Sequence, residues 1–393
     1  MPDRTATLPL TFPKPSARRI GRPDADAAPG PDPMVTRRQV PRDLSGRDRT
    51  WPSLPSRRTR RHRRTFVEDS SCNVRGSAHF GPEAEECILV YILFVAGLLG
   101  LFFGGEFLVR GAANVARSYR ISPMVIGLTI VGFGTSTPEL LVSLNAALDG
   151  ASSIAVGNVL GSNIANILLI LGLTALIYPV AVDGRRVWKD LAFMVGATVL
   201  LWIMLLGDGL SRIEAGVLVA ALAGFLVSSF LSGRTEEEET DPEALTPVWK
   251  SALITLGGLV VLMVGARLLV DSSTQIARSF GISEAVIGLT IVAVGTSLPE
   301  LATSAIAAWR KHSEIAVGNV IGSNIFNVLG ILGITGLVLP IQGLDPRFLR
   351  EDMPWVLGCS LLLVLMAFAL KGVPRWAGAL LLAAYGGYVA LML

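Results

Sequence analysis

Two apolar stretches each carry a glutamate directly after a proline. VGFGTSTPELLVSLNAAL (131–148) places Pro138 and Glu139 near its middle, and VAVGTSLPELATSAIAAW (292–309) places Pro299 and Glu300 at the same point. A carboxylate costs about 2.5–3.5 kcal/mol at the centre of a membrane helix on insertion scales. Proline removes a donor and collides with the carbonyl four residues before it. A chain that has both features twice, in equivalent places, is constrained more by this than by its overall composition.

The surrounding sequence is duplicated. With Glu139 set against Glu300, an offset of 161 residues, residues 118–176 match 279–337 at about 37 of 59 positions without a gap. GLTIVGFGTSTPEL faces GLTIVAVGTSLPEL, and IAVGNVLGSNIANILLILG faces IAVGNVIGSNIFNVLGILG. From residue 87 onward apolar runs long enough for a bilayer core of about 30 Å follow one another. They fall near 87–109, 122–148, 154–178, 190–207, 211–231, 250–271, 283–309, 315–340, 354–371 and 375–392. Ten runs in two copies give five per copy. An odd number forces the second copy to enter the membrane from the opposite side, as in the inverted repeats of many secondary transporters. The expected fold is therefore an all-α integral membrane protein. Its ten transmembrane helices form two inverted five-helix repeats, with broken helices at the two GTS-x-PE segments.

The domain reading follows. Residues 1–84 form a basic tail with little apolar periodicity, expected to be disordered; 85–232 form the first half, 233–248 an acidic linker, and 249–393 the second half. With the first span starting outside, twelve Lys and Arg of the connections fall inside and five outside, the sense of the positive-inside rule. The tail, with RRTRRHRRTF at 57–66, then lies outside, against that rule, and points to a start downstream of Met1. No signal-peptide pattern follows Met1, and nothing aromatic or folded supports nucleic-acid binding by the arginine run.

Composition removes several classes of function. Cys72, Cys87 and Cys359 have no paired spacing, and His62, His79 and His312 are scattered. Neither a disulfide framework nor a zinc site is indicated. No nucleophile–base pair accompanies the membrane serines, so no enzyme activity and no cofactor are expected. No lysine or arginine lies within either GTS-x-PE segment. The glutamates then need protons, a bound cation or a distant base, and Arg267 is the best candidate for the last.

The neighbouring residues supply oxygen. Pro138 frees carbonyls around 132–135, and the hydroxyls of Thr135, Ser136 and Thr137 are expected beside them, with Thr296, Ser297 and Glu300 as the mirror set. Unpaired carbonyls at this depth are tolerated where they line a cavity or meet a ligand. Ser162 and Asn166 share a helix face, with Asn158 one turn earlier; Gly157/Gly161 and Gly318/Gly322 are small-residue pairs that let helices approach closely. Hard oxygen at flexible geometry suits Ca²⁺ and Na⁺. Two carboxylates are neutralised by one Ca²⁺, by two Na⁺ or by two H⁺, so ions competing for them would be exchanged. Glu106 and Arg110 read as an ion pair four residues apart, and Trp188, Trp249 and Trp376 as interfacial anchors.

At these motifs the chain resembles the sodium/calcium exchanger family of the cation/calcium antiporter superfamily, over essentially 87–393. The resemblance implies ten helices with both termini outside and a protein of the cytoplasmic membrane that exchanges Na⁺ for Ca²⁺. It places ion ligands on Glu139 and Glu300 as shared carboxylates. Thr135 and Thr296 follow through hydroxyl and carbonyl, then Ser162 and Ser323, Asn166 and Asn327, and the carbonyls of Gly132 and Ala293. Some prokaryotic members and the potassium-dependent branch have aspartate where this chain has Asn327, which weakens the case for K⁺ co-transport. The calcium/proton branch places a glutamate shortly after GN, where this chain has Val159 and Val320. Ca²⁺/H⁺ exchange and a cation channel remain as alternatives. The expected partners are the two ions and the lipid bilayer, without nucleic acid, for a protein that works as a monomer.

Overall fold

The computed structural model describes residues 82–392 apart from 208, 234–246, 284–286, 288–290 and 292. All but the last three residues of the basic tail, and most of the acidic linker, lie outside the described residues. The elements fall at the ten positions read from the sequence. In the first half they are α1 (Pro82–Tyr119), the bent pair α2 (Pro123–Thr135) and α3 (Thr137–Leu148), α4 (Ser152–Ile177), α5 (Trp188–Leu205) and α6 (Arg212–Ser232). In the second they are α7 (Val248–Ser279), α8 (Leu298–Trp309) after a turn of helix at Ala293–Gly295, α9 (Ser313–Val338), α10 (Phe348–Ala369) and α11 (Arg375–Met392). Among the described residues seven helices are long and apolar enough to cross a membrane, or eight with the pair α2–α3 counted as one span. The first part of the α8 span lies partly outside the described residues. Helix α11, of 18 residues, is diluted by Gly378, Gly386, Gly387, Tyr385 and Tyr388.

Two short strand pairs fix the relation of the halves. β1 (Val180–Ala181), between the third and fourth spans, pairs antiparallel with β4 (Gly372–Val373), between the ninth and tenth. β2 (Gly209–Leu210), between the fourth and fifth, pairs with β3 (Ile341–Gln342), between the eighth and ninth. The connection after the third span of one half thus meets the connection after the fourth span of the other, at both ends. Only halves running in opposite directions allow this.

The first helices of the halves, α1 and α7, run well past the expected span ends and pack on each other over their length. Their contact is backbone on backbone. A Cβ on Gly104 would lie 2.4 Å from the Leu262 nitrogen, and one on Gly265 would lie 2.7 Å from the Gly100 carbonyl carbon. Small residues substitute for the hydrophobic drive that lipid cannot supply. The buried core is built around α4 and α9, while Trp188, Trp249 and Trp376 are more than half exposed near helix ends, as anchors should be.

Candidate functional site

The chain bends by 44° between α2 and α3. Thr135 ends α2, Ser136 adopts φ −83° and ψ 8°, and α3 starts at Thr137 with Pro138 in its first turn, where a missing N–H costs nothing. The second copy repeats the break: Ser297 at φ −92° and ψ 8° precedes α8, with Pro299 in the first turn. Each glutamate therefore sits in the first turn of a new helix, near the positive end of its dipole. Glu139 and Glu300 are both 1 % exposed.

The two halves bond across the centre with matching pairs. Ser136 Oγ donates to Glu300 Oε1 at 2.9 Å, and Ser297 Oγ donates to Glu139 Oε1 at 3.2 Å. Asn158 Nδ2 donates to the Glu139 carbonyl at 3.3 Å and to Ser143 Oγ at 2.9 Å. Asn319 repeats this on the Glu300 carbonyl at 3.2 Å and Ser304 Oγ at 2.9 Å. These amides clamp each glutamate-bearing helix to the span that follows it.

A second layer of amides lies between α4 and α9. Asn166 Nδ2 donates to Asn324 Oδ1, and Asn327 Nδ2 donates to Asn163 Oδ1, both at 3.0 Å. The amide nitrogens are consumed, which leaves the oxygens of Asn166 and Asn327 buried and without a donor. Glu139 Oε2 and Glu300 Oε2 share that condition. Among the described residues the other orphaned buried atoms are hydroxyls, so the acceptor-only orphans are these four, one carboxylate and one amide from each half. A buried acceptor that lacks a donor is costly, and these four lie on elements packed together, α3 against the Asn327 segment of α9 and α8 against the Asn166 segment of α4, which suits a positive guest.

The remaining expected site residues are placed around this core. Ser323 Oγ donates to the Gly132 carbonyl at 3.2 Å, joining α9 to α2. Thr135 Oγ1 lies 3.1 Å from Asn319 Oδ1 and 3.1 Å from the Val131 carbonyl. Ser162 is buried on α4, Thr296 lies half-buried at the second break, and the backbone of Ala293 opens the short helix before it. Turns of π-helix at Gly127–Val131, Asn166–Ile170 and Phe326–Ile331 widen the helices beside the breaks and the amide layer. Phe133 stacks on Phe326 at 4.4 Å and holds α2 to one of them.

Thr137 Oγ1 donates to the Phe133 carbonyl at 3.2 Å, across the break from α3 to α2, beside the carbonyls where the sequence reading expects it. Three sequence readings are corrected. Arg267 is exposed and pairs with Asp271 at 3.8 Å, so it does not neutralise the buried glutamates. Glu106 makes a bidentate pair with Arg310, at 2.6 and 2.8 Å, in place of the expected pair with Arg110. Asn158 faces the neighbouring helix, on Glu139 and Ser143, and does not join Asn166. Sequence reasoning also passed over Asn163 and Asn324. Their signal was present, since GSN occurs in both copies and the asparagine lies three residues before Asn166 or Asn327 on the same helix face.

Among the described residues no three His, Cys, Asp and Glu side chains gather as a metal group. The centre is instead two carboxylates within electrostatic reach of each other, set among amide, hydroxyl and backbone oxygens. An inverted-repeat membrane protein with an oxygen-lined centre shared by its halves is a membrane transporter of cations.

Comparison with known proteins gives the family. The sequence model for sodium/calcium exchanger proteins matches residues 89–231 and 250–393. The chain is 38 % identical over 317 residues to the putative antiporter CaxA of Alkalimonas amylolytica, covering 78 % of this chain and 99 % of that one. It is 32 % identical over 343 residues to the sodium/calcium exchanger MaX1 of Methanosarcina acetivorans, covering 77 % and 98 %. The structure of the sodium–calcium exchanger NCX_Mj soaked with 2.5 mM Na⁺ and 10 mM Sr²⁺ superposes with a TM-score of 0.69 at 37 % identity, over 77 % of this chain and 99 % of that one. The protein belongs to the sodium/calcium exchanger family and is a multi-pass membrane cation/calcium antiporter.

Proposed function

We propose that the chain exchanges Na⁺ for Ca²⁺ by alternating access, with Glu139 and Glu300 as shared ligands, and extrudes Ca²⁺ down the sodium gradient. The observation that carries this reading is the set of four buried acceptors without a donor: Glu139 Oε2, Glu300 Oε2, Asn166 Oδ1 and Asn327 Oδ1. Thr135, Thr296, Ser162, Ser323 and the carbonyls of Gly132 and Ala293 complete the ligand shell as ions enter and displace the internal hydrogen bonds. Both carboxylates ionised carry two negative charges. One Ca²⁺ or two Na⁺ neutralise them, and an empty site stays charged and resists crossing the bilayer. That penalty couples the two fluxes.

The first helix starts outside, which places Arg110, Arg117, Arg310 and Lys371 on the cytoplasmic side, in keeping with the charge count of the connections. The monomer is the transporting unit, since each half supplies half of one centre. The test is ⁴⁵Ca²⁺ uptake into sodium-loaded proteoliposomes, with external Na⁺, K⁺ and pH varied separately. Uptake that follows the sodium gradient supports the reading. Uptake indifferent to that gradient and driven by a proton gradient assigns the same carboxylates to Ca²⁺/H⁺ exchange. Flux that needs no counter-ion makes the protein a channel.

A further inference from the structure

A cavity of about 280 Å³ opens at one end of the molecule, away from the central site, lined by Glu106, Arg110, Arg117, Arg310 and His312 with Val109 and Ala113 between them. Its charges are unequal. The Glu106 carboxylate is used by Arg310, whose Nε and terminal nitrogen take one oxygen each. Arg117 is held in place by neutral partners, donating to Asn114 Oδ1 at 2.7 Å and to the Ala113 carbonyl at 3.4 Å, and among the described residues it pairs with no carboxylate. Arg110 is held by no hydrogen bond or ion pair among the described residues. Two guanidiniums thus face one cavity without an acid. The imidazole of His312, half-buried at the start of α9, is held below its ordinary value by burial first and then by Arg117 and Arg310, the same excess of positive charge seen from the cavity wall.

The duplication supplies an internal comparison. At the 161-residue offset Glu106, Arg110, Arg117 and Arg310 correspond to Arg267, Asp271, Arg278 and Asp149. The equivalent face at the other end therefore carries two acids and two bases, and Asp271 pairs with Arg267 at 3.8 Å. The scaffold of this fold does not require three arginines here, because its twin does without them. The surroundings mark the depth of the cavity. Trp309, 55 % exposed, precedes Arg310, packs on Phe102 with ring centroids 6.0 Å apart, and has the Arg310 guanidinium 5.5 Å from its own ring centroid. Phe102, Phe103 and Phe107 lie exposed along the same part of α1. An aromatic anchor beside exposed phenylalanines sits at the headgroup boundary, with acyl-chain space on one side of the arginines.

We propose that this cavity binds the phosphate of an anionic phospholipid headgroup, with Arg110 and Arg117 as its cationic partners and the phenylalanine face of α1 against the acyl chains. Guanidinium is suited to phosphate by its planar, paired donors. In the orientation proposed above the cavity faces the cytoplasmic leaflet, whose anionic lipids attract basic groups near the surface.

The test is native mass spectrometry of the full-length protein in mild detergent, titrated with phosphatidylglycerol, with phosphatidylcholine or with inorganic phosphate. Wild type is expected to retain one phosphatidylglycerol and no phosphatidylcholine. R110Q/R117Q is expected to weaken phosphatidylglycerol binding by about thirtyfold, from the roughly fivefold that each surface cation contributes. R110K/R117K, which keeps the charge but loses the paired planar donors, should fall between wild type and R110Q/R117Q. Inorganic phosphate that binds with the same dependence on the two arginines and displaces the lipid would uphold the phosphate site but assign its source to solution. Equal phosphatidylglycerol binding by wild type and R110Q/R117Q, or equal retention of both lipids, overturns the proposal. Should the double glutamine variant fail to fold, R110Q alone carries the same test, since Arg110 holds nothing else in place.

Discussion

Gly161 and Gly322 occupy the same position in the two copies, yet alanine should act on them oppositely. A Cβ on Gly322 would lie 2.2 Å from the Leu128 carbonyl oxygen and 2.6 Å from the Leu128 Cα, in the π-turn of α2 that leads to Gly132 and Thr135. Those atoms are backbone and have no rotamer to yield, so restoring ordinary contact takes roughly an ångström of helix displacement. Overpacking of that kind costs about 3 kcal/mol, the upper part of its usual range. Alanine recovers about 1 kcal/mol of helix propensity, and the net loss for G322A is about 2 kcal/mol. Around Gly161 a Cβ meets nothing within 4 Å, so G161A keeps only the propensity gain. The assay is thermal unfolding of the purified protein in one detergent, read by intrinsic fluorescence. G322A should melt roughly 4–8 °C below wild type and G161A at or slightly above it. G322A should also lose calcium exchange, because the displaced turn leads directly into Gly132 and Thr135. Equal melting temperatures for the two variants would refute the close approach of α9 to α2.

E139Q and E300Q should each abolish sodium-driven ⁴⁵Ca²⁺ uptake while eluting and melting like the folded wild type; normal flux in either removes that residue from the ligand set. S136A and S297A each remove a hydrogen bond to a carboxylate, worth about 1.5–3 kcal/mol, and should change the apparent affinity for Ca²⁺ about tenfold or more, whereas T137A, whose hydroxyl bonds the Phe133 carbonyl and no carboxylate, should leave it unaltered. N327D adds a carboxylate beside Asn163 and should make flux more sensitive to external K⁺ or pH, read in the same liposomes. His312 has a folded value below 6.5, so the unfolded chain binds more protons and stability falls as pH drops from about 6.5. H312N should flatten that fall relative to wild type in melts between about pH 7 and 5, and parallel curves would count against the depressed value.

The spans and their inverted order were legible because they rest on two coarse signals, length of apolar run and an odd count per repeat. Glu139, Glu300, Pro138 and Pro299 were legible because each violates the rules of a lipid-facing helix. The rest was hidden for physical reasons. Periodicity gives the face of a helix and not the partner across it, so it could not show that Ser136 bonds the glutamate of the other half, or that Asn158 turns to Ser143 while Asn166 turns to Asn324. A π-turn adds one residue to a helical turn and rotates every later side chain, and no residue type in 166–170 or 326–331 announces it. The Glu106–Arg310 pair joins positions 204 residues apart, which a spacing rule for neighbours on one helix cannot reach.

The symmetry of the centre bears on how exchange is coupled. Each carboxylate receives its hydroxyl from the opposite half, Glu300 from Ser136 and Glu139 from Ser297, while its own backbone carbonyl is clamped by an asparagine of its own half, Glu139 by Asn158 and Glu300 by Asn319. Shifting one half against the other therefore strains both serine bonds together and neither clamp. The carboxylates stay fixed to their helices while the groups that satisfy them change as a pair. Where the exchange proposed above moves one half against the other, and not the peripheral helices alone, an ion bridging Glu139 and Glu300 replaces the two lost hydrogen bonds at once, and an empty site has nothing to replace them with. Preference for loaded over empty crossing then arises from bond pairing as well as from charge. The two contributions are separable, because S136A/S297A removes the first and keeps both carboxylates.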